Sequence, residues 1–283
     1  MSDDGSIGRP RLVVGDDGSP PSDVVWLWVN NHPWPGWRIS VVNAHPVTAG
    51  PPPGERARLH PVPPFPGRQL FTADPTTTVE YLAADADPRL VLDSCTDATL
   101  MAVGPRGRGF LKRLHLGSTV GWLLSAHRPL TPLIIVRSAR PTRHVVLCVD
   151  GSEHAQAAAE TLGRLPWIGS CRVTVLGVCE RGHDPEQAVA TATAALSPTG
   201  ADVVPRVTEP GGDLNDRILG TLLEERPDIA ALGIRGRGGL PRRTIGSTTN
   251  AITEHAECSV LVVRKPEPEE LEERRTEAAE ALT

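Results

Sequence analysis

The chain reads "ALGIRGRGGLPRRTIGST" at Ala231–Thr248 and "AVGPRGRGFLKRLHLGST" at Ala102–Thr119, identical at eleven of eighteen positions without a gap. Two further stretches are also written twice. "RLVVGDDGS" (Arg11–Ser19) matches "HVVLCVDGS" (His144–Ser152), and "LIIVR" (Leu133–Arg137) matches "VLVVR" (Val260–Arg264). Three matches in one order, at offsets of 133, 129 and 127 residues, point to two copies of one unit. The junction falls in the short polar linker "SARPTR", Ser138–Arg143. The expected organisation is one domain over residues 1–140, a second over 141–266, and a charged tail over 267–283.

A length of 283 residues leaves room for two cores of ordinary size. Hydrophobic content of 39% and charged content of 22% are those of a globular protein. A net charge of −5 argues against a general nucleic-acid binder, which carries a basic excess. The polar N-terminus and the absence of an apolar run near ~20 residues give no sign of a signal peptide or a membrane span, so a cytoplasmic location is expected. The cysteines, Cys95, Cys148, Cys171, Cys179 and Cys258, include no C-x-x-C pair, and neither a disulfide framework nor a zinc site is indicated.

The second copy shows its plan most clearly. "HVVLCV" is a continuous apolar run, as in a strand buried on both faces. After Ser152, a candidate N-cap, Ala155, Ala158, Ala159, Leu162 and Leu165 fall at helical spacing. Strands are then expected at Arg172–Val178, Asp202–Val207, Asp228–Gly233 and Ser259–Arg264. Helices are expected at Asp184–Leu196, Asp213–Glu225 and Ser247–Ala256. Strands alternating with helices predict a parallel sheet covered on both sides. The first copy follows the same plan, with "TVEYLA" (Thr78–Ala83) as its third strand and a shorter third helix between Asp87 and Asp97. Its middle differs: nine prolines between His45 and Pro75 exclude a second helix there and predict an irregular surface segment. The tail "PEPEELEERRTEAAEALT" reads as a solvated helix or disordered segment, or else as a partner-binding helix through Leu271, Ala278 and Leu282.

In open parallel sheets ligands lie beyond the carboxyl ends of the strands, and both repeated motifs sit there. One is Asp-Gly-Ser after the first strand: Asp17, Gly18 and Ser19, and again Asp150, Gly151 and Ser152. The other follows the fourth strand as Gly, two residues, Gly, nine residues, Gly-Ser-Thr. Its members are Gly104, Gly107, Gly117, Ser118 and Thr119 in the first copy, and Gly233, Gly236, Gly246, Ser247 and Thr248 in the second. Glycines let the backbone approach a ligand. The Gly-Ser pair opens a helix whose free N–H groups favour an anion, and the serine can donate to a phosphate oxygen or cap the helix. Arg106, Arg108, Lys112 and Arg113 lie in the first loop, and Arg235, Arg237, Arg242 and Arg243 in the second; they either grip phosphates or face water. The competing reading is a pair of Gly-rich turns with ordinary caps. There is no P-loop, no dinucleotide fingerprint after the first strand, no H-E-x-x-H and no G-x-S-x-G. The nine histidines show no ligand spacing; His154 and His255 read as surface or capping groups. The arrangement is one that binds, with little equipment for transforming.

The order strand–Asp-Gly-Ser, then G-x2-G-x9-G-[ST], then "SVLVVR" resembles the universal stress protein family, as a tandem member with two such domains. The resemblance covers Arg11–Arg137 and His144–Arg264. It implies an α/β fold of two repeated doubly wound domains, each a five-stranded parallel sheet of order 3-2-1-4-5 flanked by helices. It implies membership of the ATP-binding subgroup, with ATP and Mg2+ as ligands and a regulatory stress-response role. Asp17 and Asp150 would contact the adenine or ribose side; Val178, and a residue near Asn43, would offer backbone hydrogen bonds to adenine. The glycine loops and Gly-Ser pairs would hold ribose and phosphates. The fifth strands would pair the two halves, and the whole would form a homodimer. Alternatives are a nucleotide hydrolase or transferase of the same fold, whose H-x-G-H or S-G-G-x-D-S signatures are missing here, and a non-binding interaction module.

Overall fold

The computed structural model describes residues 8–45, 58–64, 67–72, 74–106, 116–125, 131–178, 184–208, 211–236 and 245–265. In the first half the strands are β1 (Arg11–Gly15), β2 (Arg38–Ala44), β3 (His60–Pro61), β4 (Thr78–Ala84), β5 (Leu100–Val103) and β6 (Leu133–Ile135). The helices between them are α1 (Pro20–Asn30), α2 (Pro88–Asp93) and α3 (Ser118–Ser125). The second half contains β7 (His144–Val149), α4 (Glu153–Gly163), β8 (Arg172–Gly177), α5 (Pro185–Leu196) and β9 (Asp202–Val207). It continues with α6 (Leu214–Glu225), β10 (Ile229–Gly233), α7 (Ser247–His255) and β11 (Ser259–Val263).

Local chemistry sets the helix ends. Asp184 caps α5 by accepting from the N–H groups of Glu186 and Gln187, and Asp213 caps α6 in the same way from Asn215 and Asp216. Pro185 and Pro88 stand in first turns, where a missing N–H costs nothing.

The strands join in one sheet of eleven, ordered β3-β4-β2-β1-β5-β6-β11-β10-β7-β8-β9. The expected pairing of the two halves through their fifth strands is present, and it corrects the picture of two five-stranded sheets by making them one. Within each half the parallel order 3-2-1-4-5 holds, but the two fifth strands meet antiparallel, Ile134 opposite Leu261, and make the sheet continuous. A two-residue strand, β3, adds an antiparallel edge against Leu82 and Ala83. Among the described residues between His45 and Pro75 it is the only regular element; residues 46–57, 65, 66 and 73, where most of the expected irregular segment falls, lie outside the described residues. The resulting sheet is apolar on both faces: one carries α1, α4 and α5, the other α2, α3, α6 and α7.

The first face closes over an aromatic seam between the halves. Trp28 meets Trp167 edge-on, centroids 6.1 Å apart, and His32 lies 4.7 Å from the same ring, with Trp34 and Trp37 continuing the cluster. The linker is pinned there. Asn31 donates to the carbonyl of Ala139 at 2.7 Å, and Thr142 N–H donates to His32 Nε2 at 2.9 Å. Because His32 Nδ1 faces the carbonyl of Trp28 at 2.6 Å, Nδ1 carries the proton and Nε2 must stay an acceptor. Burial lowers the His32 pKa from its ordinary 6.5, against the Trp28 carbonyl and the Asp228 charge, which act to raise it. The unfolded chain therefore binds a proton as pH falls through about 6.5 while the folded chain does not, so stability is present above that pH and lost below it. In melts between pH 7.5 and 5.5, the wild-type midpoint should fall more steeply than that of His32→Asn. Parallel curves would contradict this account of the seam.

Candidate functional site

At the carboxyl end of β7 the chain turns through Asp150 and Gly151, the latter at φ +76°, a conformation that suits glycine. Ser152 N–H donates to Asp150 Oδ1 at 2.9 Å, and the Ser152 hydroxyl caps α4 by accepting from Ala155 N–H at 3.2 Å. The glycine loop closes against this turn. A Cβ on Gly233 would lie 2.7 Å from the carbonyl carbon of His154, so β10 touches the first turn of α4 directly. A Cβ on Gly236 would lie 2.5 Å from Asp150 Oδ2, which places that carboxylate against the loop backbone. The structure thus brings Asp150, Ser152, Gly233 and Gly236 together, residues separated by about eighty positions in the chain.

The far end of the loop returns to its root. Gly246 N–H donates to the carbonyl of Ile234 at 3.0 Å, and α7 starts at the next residue. The helix has no side-chain cap, and its first internal bond is Asn250 N–H to Gly246 at 2.9 Å. The N–H groups of Ser247, Thr248 and Thr249 therefore lie ahead of the helical ladder, at the positive end of its dipole. Ser247 is exposed, Thr248 half-buried. Arg235 is half-buried at the base of the loop. Val178 follows β8 directly and is half-buried, one position beyond Gly177, which pairs with Val149. Its neighbour Gly177 is forced by packing: a Cβ there would lie 2.6 Å from Val189 and 2.9 Å from the Pro185 carbonyl.

The first half repeats this closure with altered parts. Gly117 N–H donates to the carbonyl of Pro105 at 2.8 Å, and α3 begins at Ser118, followed by Thr119. A Cβ on Gly104 would lie 3.1 Å from the Pro21 carbonyl. Gly18 turns at φ +69°. Here, however, the Ser19 hydroxyl donates to Asp17 rather than capping α1, and Pro20 and Pro21 remove two N–H groups from the head of that helix. Asn43 lies within β2, its amide donating to the Asp16 carbonyl at 2.8 Å. By register, Ala44 is the position equivalent to Val178, one residue beyond Asn43: Gly15 pairs with Val42 as Cys148 pairs with Leu176. Arg106 is half-buried at the loop base. Gly107, Arg108, Lys112, Arg113, Arg237, Arg242 and Arg243 lie outside the described residues, as does the tail from residue 266.

One group was missed from sequence. Asp16, in the place of Val149, is fully buried and ion-paired with Arg68, which also pairs with Asp23. The doubled aspartate in "GDDGS" was the available signal.

The four thiols among the described residues are poor nucleophiles: burial pushes Cys148 up to about 12 and Cys95, Cys171 and Cys258 up to about 11. Among the described residues no group of three or more His, Cys, Asp or Glu side chains is placed to hold a metal ion, and no helix is long and apolar enough to cross a membrane.

Residues 182–264 match the model of the universal stress protein family. Over 200 residues the chain is 26% identical to a universal stress protein of Mycolicibacterium smegmatis, an alignment covering 62% of this chain and 65% of that one. The chain thus spans less than two thirds of that relative's length. A universal stress protein structure from Archaeoglobus fulgidus superposes with a TM-score of 0.59 at 16% identity, covering 90% of this chain and 98% of that one. A functionally unknown protein from Pseudomonas aeruginosa superposes with a TM-score of 0.53 at 13% identity, covering 91% and 93%. At these identities the likeness concerns the fold.

Proposed function

We propose that this chain is an adenine-nucleotide-binding stress-response protein of two universal stress protein-like domains, residues 1–140 and 141–266, whose output is a nucleotide-dependent change of shape or partner. The observation that carries the reading is the closure of the glycine loop, Gly246 N–H to Ile234, repeated as Gly117 N–H to Pro105. Each closure sets an uncapped or serine-headed helix start beside an Asp-Gly turn at the carboxyl end of a parallel strand, where a phosphate meets N–H donors and a helix dipole. In this reading Asp150 takes the ribose side, Val178 the adenine, and Gly236, Gly246, Ser247 and Thr248 the phosphates of ATP, with Mg2+ accompanying it. The second site is the better formed, since Ser152 caps its helix while Ser19 does not cap α1. Cytoplasmic location and homodimerisation belong to the same reading.

The test begins with protein purified without added nucleotide, denatured, and analysed for released ATP or AMP. Ser247→Asp then places a carboxylate at the exposed head of α7, a position where acidic residues favour the helix, so the fold is retained. It is expected to weaken ATP binding at the second site by at least about tenfold, roughly 1.4 kcal/mol. An empty protein that also fails to take up ATP in titration, or a folded Ser247→Asp variant of unchanged affinity and stoichiometry, would sink the reading.

A further inference from the structure

A line of buried hydrogen bonds runs the length of α7 and ends on a residue from the other half of the molecule. Thr249 Oγ1 donates to the carbonyl of Gly233, the first glycine of the loop, at 2.9 Å. One turn on, Thr253 Oγ1 donates to the carbonyl of Thr249 at 2.8 Å. The carbonyl of Thr253, one of those a helix end leaves without a partner of its own, accepts from Arg137 Nη2. Arg137 belongs to the first half, just after β6. Its other guanidinium nitrogen donates to the carbonyl of Cys258 at 3.2 Å, and its backbone N–H donates to Ser259 Oγ at 3.0 Å. Thr249 and Thr253 are 2% and 0% exposed.

Packing does not require these hydroxyls. The twin helix α3 occupies the same place in the first half, and at the two equivalent positions it carries Val120 and Leu124, both buried. Threonine is a weaker helix former than leucine, and its bond to the carbonyl four residues back bends a helix slightly. The line is therefore particular to α7, the helix whose head forms the proposed phosphate seat of the better-formed site. At its other end Arg137 stands beside the root of the first glycine loop: the N–H of Val136, the residue before it, donates at 2.8 Å to the carbonyl of Val103, the residue before Gly104. Burial lowers its pKa, the nearby Cys258 acts to raise it, and the like charge of Arg106 lowers it further. The guanidinium stays charged throughout; an anion held by Arg106 relieves the repulsion on it and favours its seat at the negative end of α7. An anion at the head of α7 polarises the same bonds in the same sense.

We propose that the bonds from Gly233 through Thr249 and Thr253 to Arg137 couple the two glycine loops, so that a phosphate-bearing ligand at one loop raises the affinity of the other. This is a regulation of the proposed site and rests on the nucleotide reading above.

The experiment uses the full-length protein and ATP as the probe, followed by calorimetric titration. The second-half site is identified as the one that Ser247→Asp removes. Ser118→Phe blocks the first-half loop at an exposed helix head with bulk and no charge, so it does not itself supply the anion. It is expected to weaken the second site by about fivefold or more, the lower range of coupling between sites. In a Thr253→Val background, isosteric and apolar like the Leu124 position, the same change should move the affinity by less than about twofold, since the coupling it reads is gone. A merely structural threonine would shift the melting temperature and leave the fivefold ratio intact. An equal effect of Ser118→Phe in both backgrounds, or none in either, overturns the coupling while leaving the nucleotide reading standing. ATP binding at neither loop removes both.

Discussion

Gly233→Val should destabilise the protein by about 3 kcal/mol or more, the upper range for overpacking a close contact. A Cβ at that position would fall 2.7 Å from the carbonyl carbon and from the Cβ of His154, and 2.8 Å from the backbone nitrogen of Ala155. These atoms are the first turn of α4, so no side-chain rotation relieves the clash. Either α4 lifts from β10 and β11, or β10 leaves the register in which Gly233 pairs with Val263. Both outcomes also part Asp150 from the glycine loop, so the proposed nucleotide binding in the second half should go with the stability. Gly220→Ala is the matched control: it sits in α6 with nothing within 4 Å of its Cβ, and should gain about 0.5–1 kcal/mol from helix propensity. Denaturant unfolding of the two variants measures both. A Gly233→Val protein of wild-type stability would mean that the contact between β10 and α4 is looser than the structure has it.

The second large effect lies in the first half. Arg68→Ala should cost about 3–5 kcal/mol, the range for leaving one member of a buried ion pair without its partner. The side chain of Asp16 is fully buried, and Oδ1 accepts from Gly18 N–H at 2.9 Å and Ser22 Oγ at 2.8 Å as well as from Arg68. Oδ2 is buried with no partner among the described residues. Arg68 therefore carries the balancing charge, and its second contact, to Asp23, ties residues 67–72 down onto α1. The paired replacement Asp16→Val with Arg68→Met should recover most of the loss. The equivalent residue in the second half is already Val149, and apolar substitutes for a buried pair are often neutral or better. If the double variant melts as low as Arg68→Ala alone, the charge is not the cause.

These two variants also mark how far sequence reading reached. Gly233 was legible because its motif recurs 129 residues away with unchanged spacing, and because a glycine after a buried strand has few other uses. Its clash partner was not: His154 reads in sequence as a surface or capping group, and only the fold sets its backbone against β10. Arg68 was not. It stands in a proline-rich segment that periodicity describes only as irregular, and nothing local says that its side chain crosses 52 positions to reach Asp16. The threonines of α7 show the same divide. "STTNAIT" against "STVGWLL" is visible on the page, but it has no meaning until Arg137 arrives from 116 residues away.

Read alone, the amino-acid order carries the alternation of strands and helices, the cap at Ser152 and the two copies of the glycine motif. Each of these depends on neighbours within one or two turns, where spacing and side-chain oxygens act directly. Tertiary structure alone decided the rest. It set the antiparallel register of the fifth strands, added an edge strand, gathered Trp28, Trp34 and Trp167 at the seam, buried Asp16 under Arg68, and ran the α7 hydrogen bonds onto Arg137. Those contacts join residues far apart in the chain. Their energies come from which surfaces the fold brings face to face, and that leaves no periodic trace in the sequence around either partner.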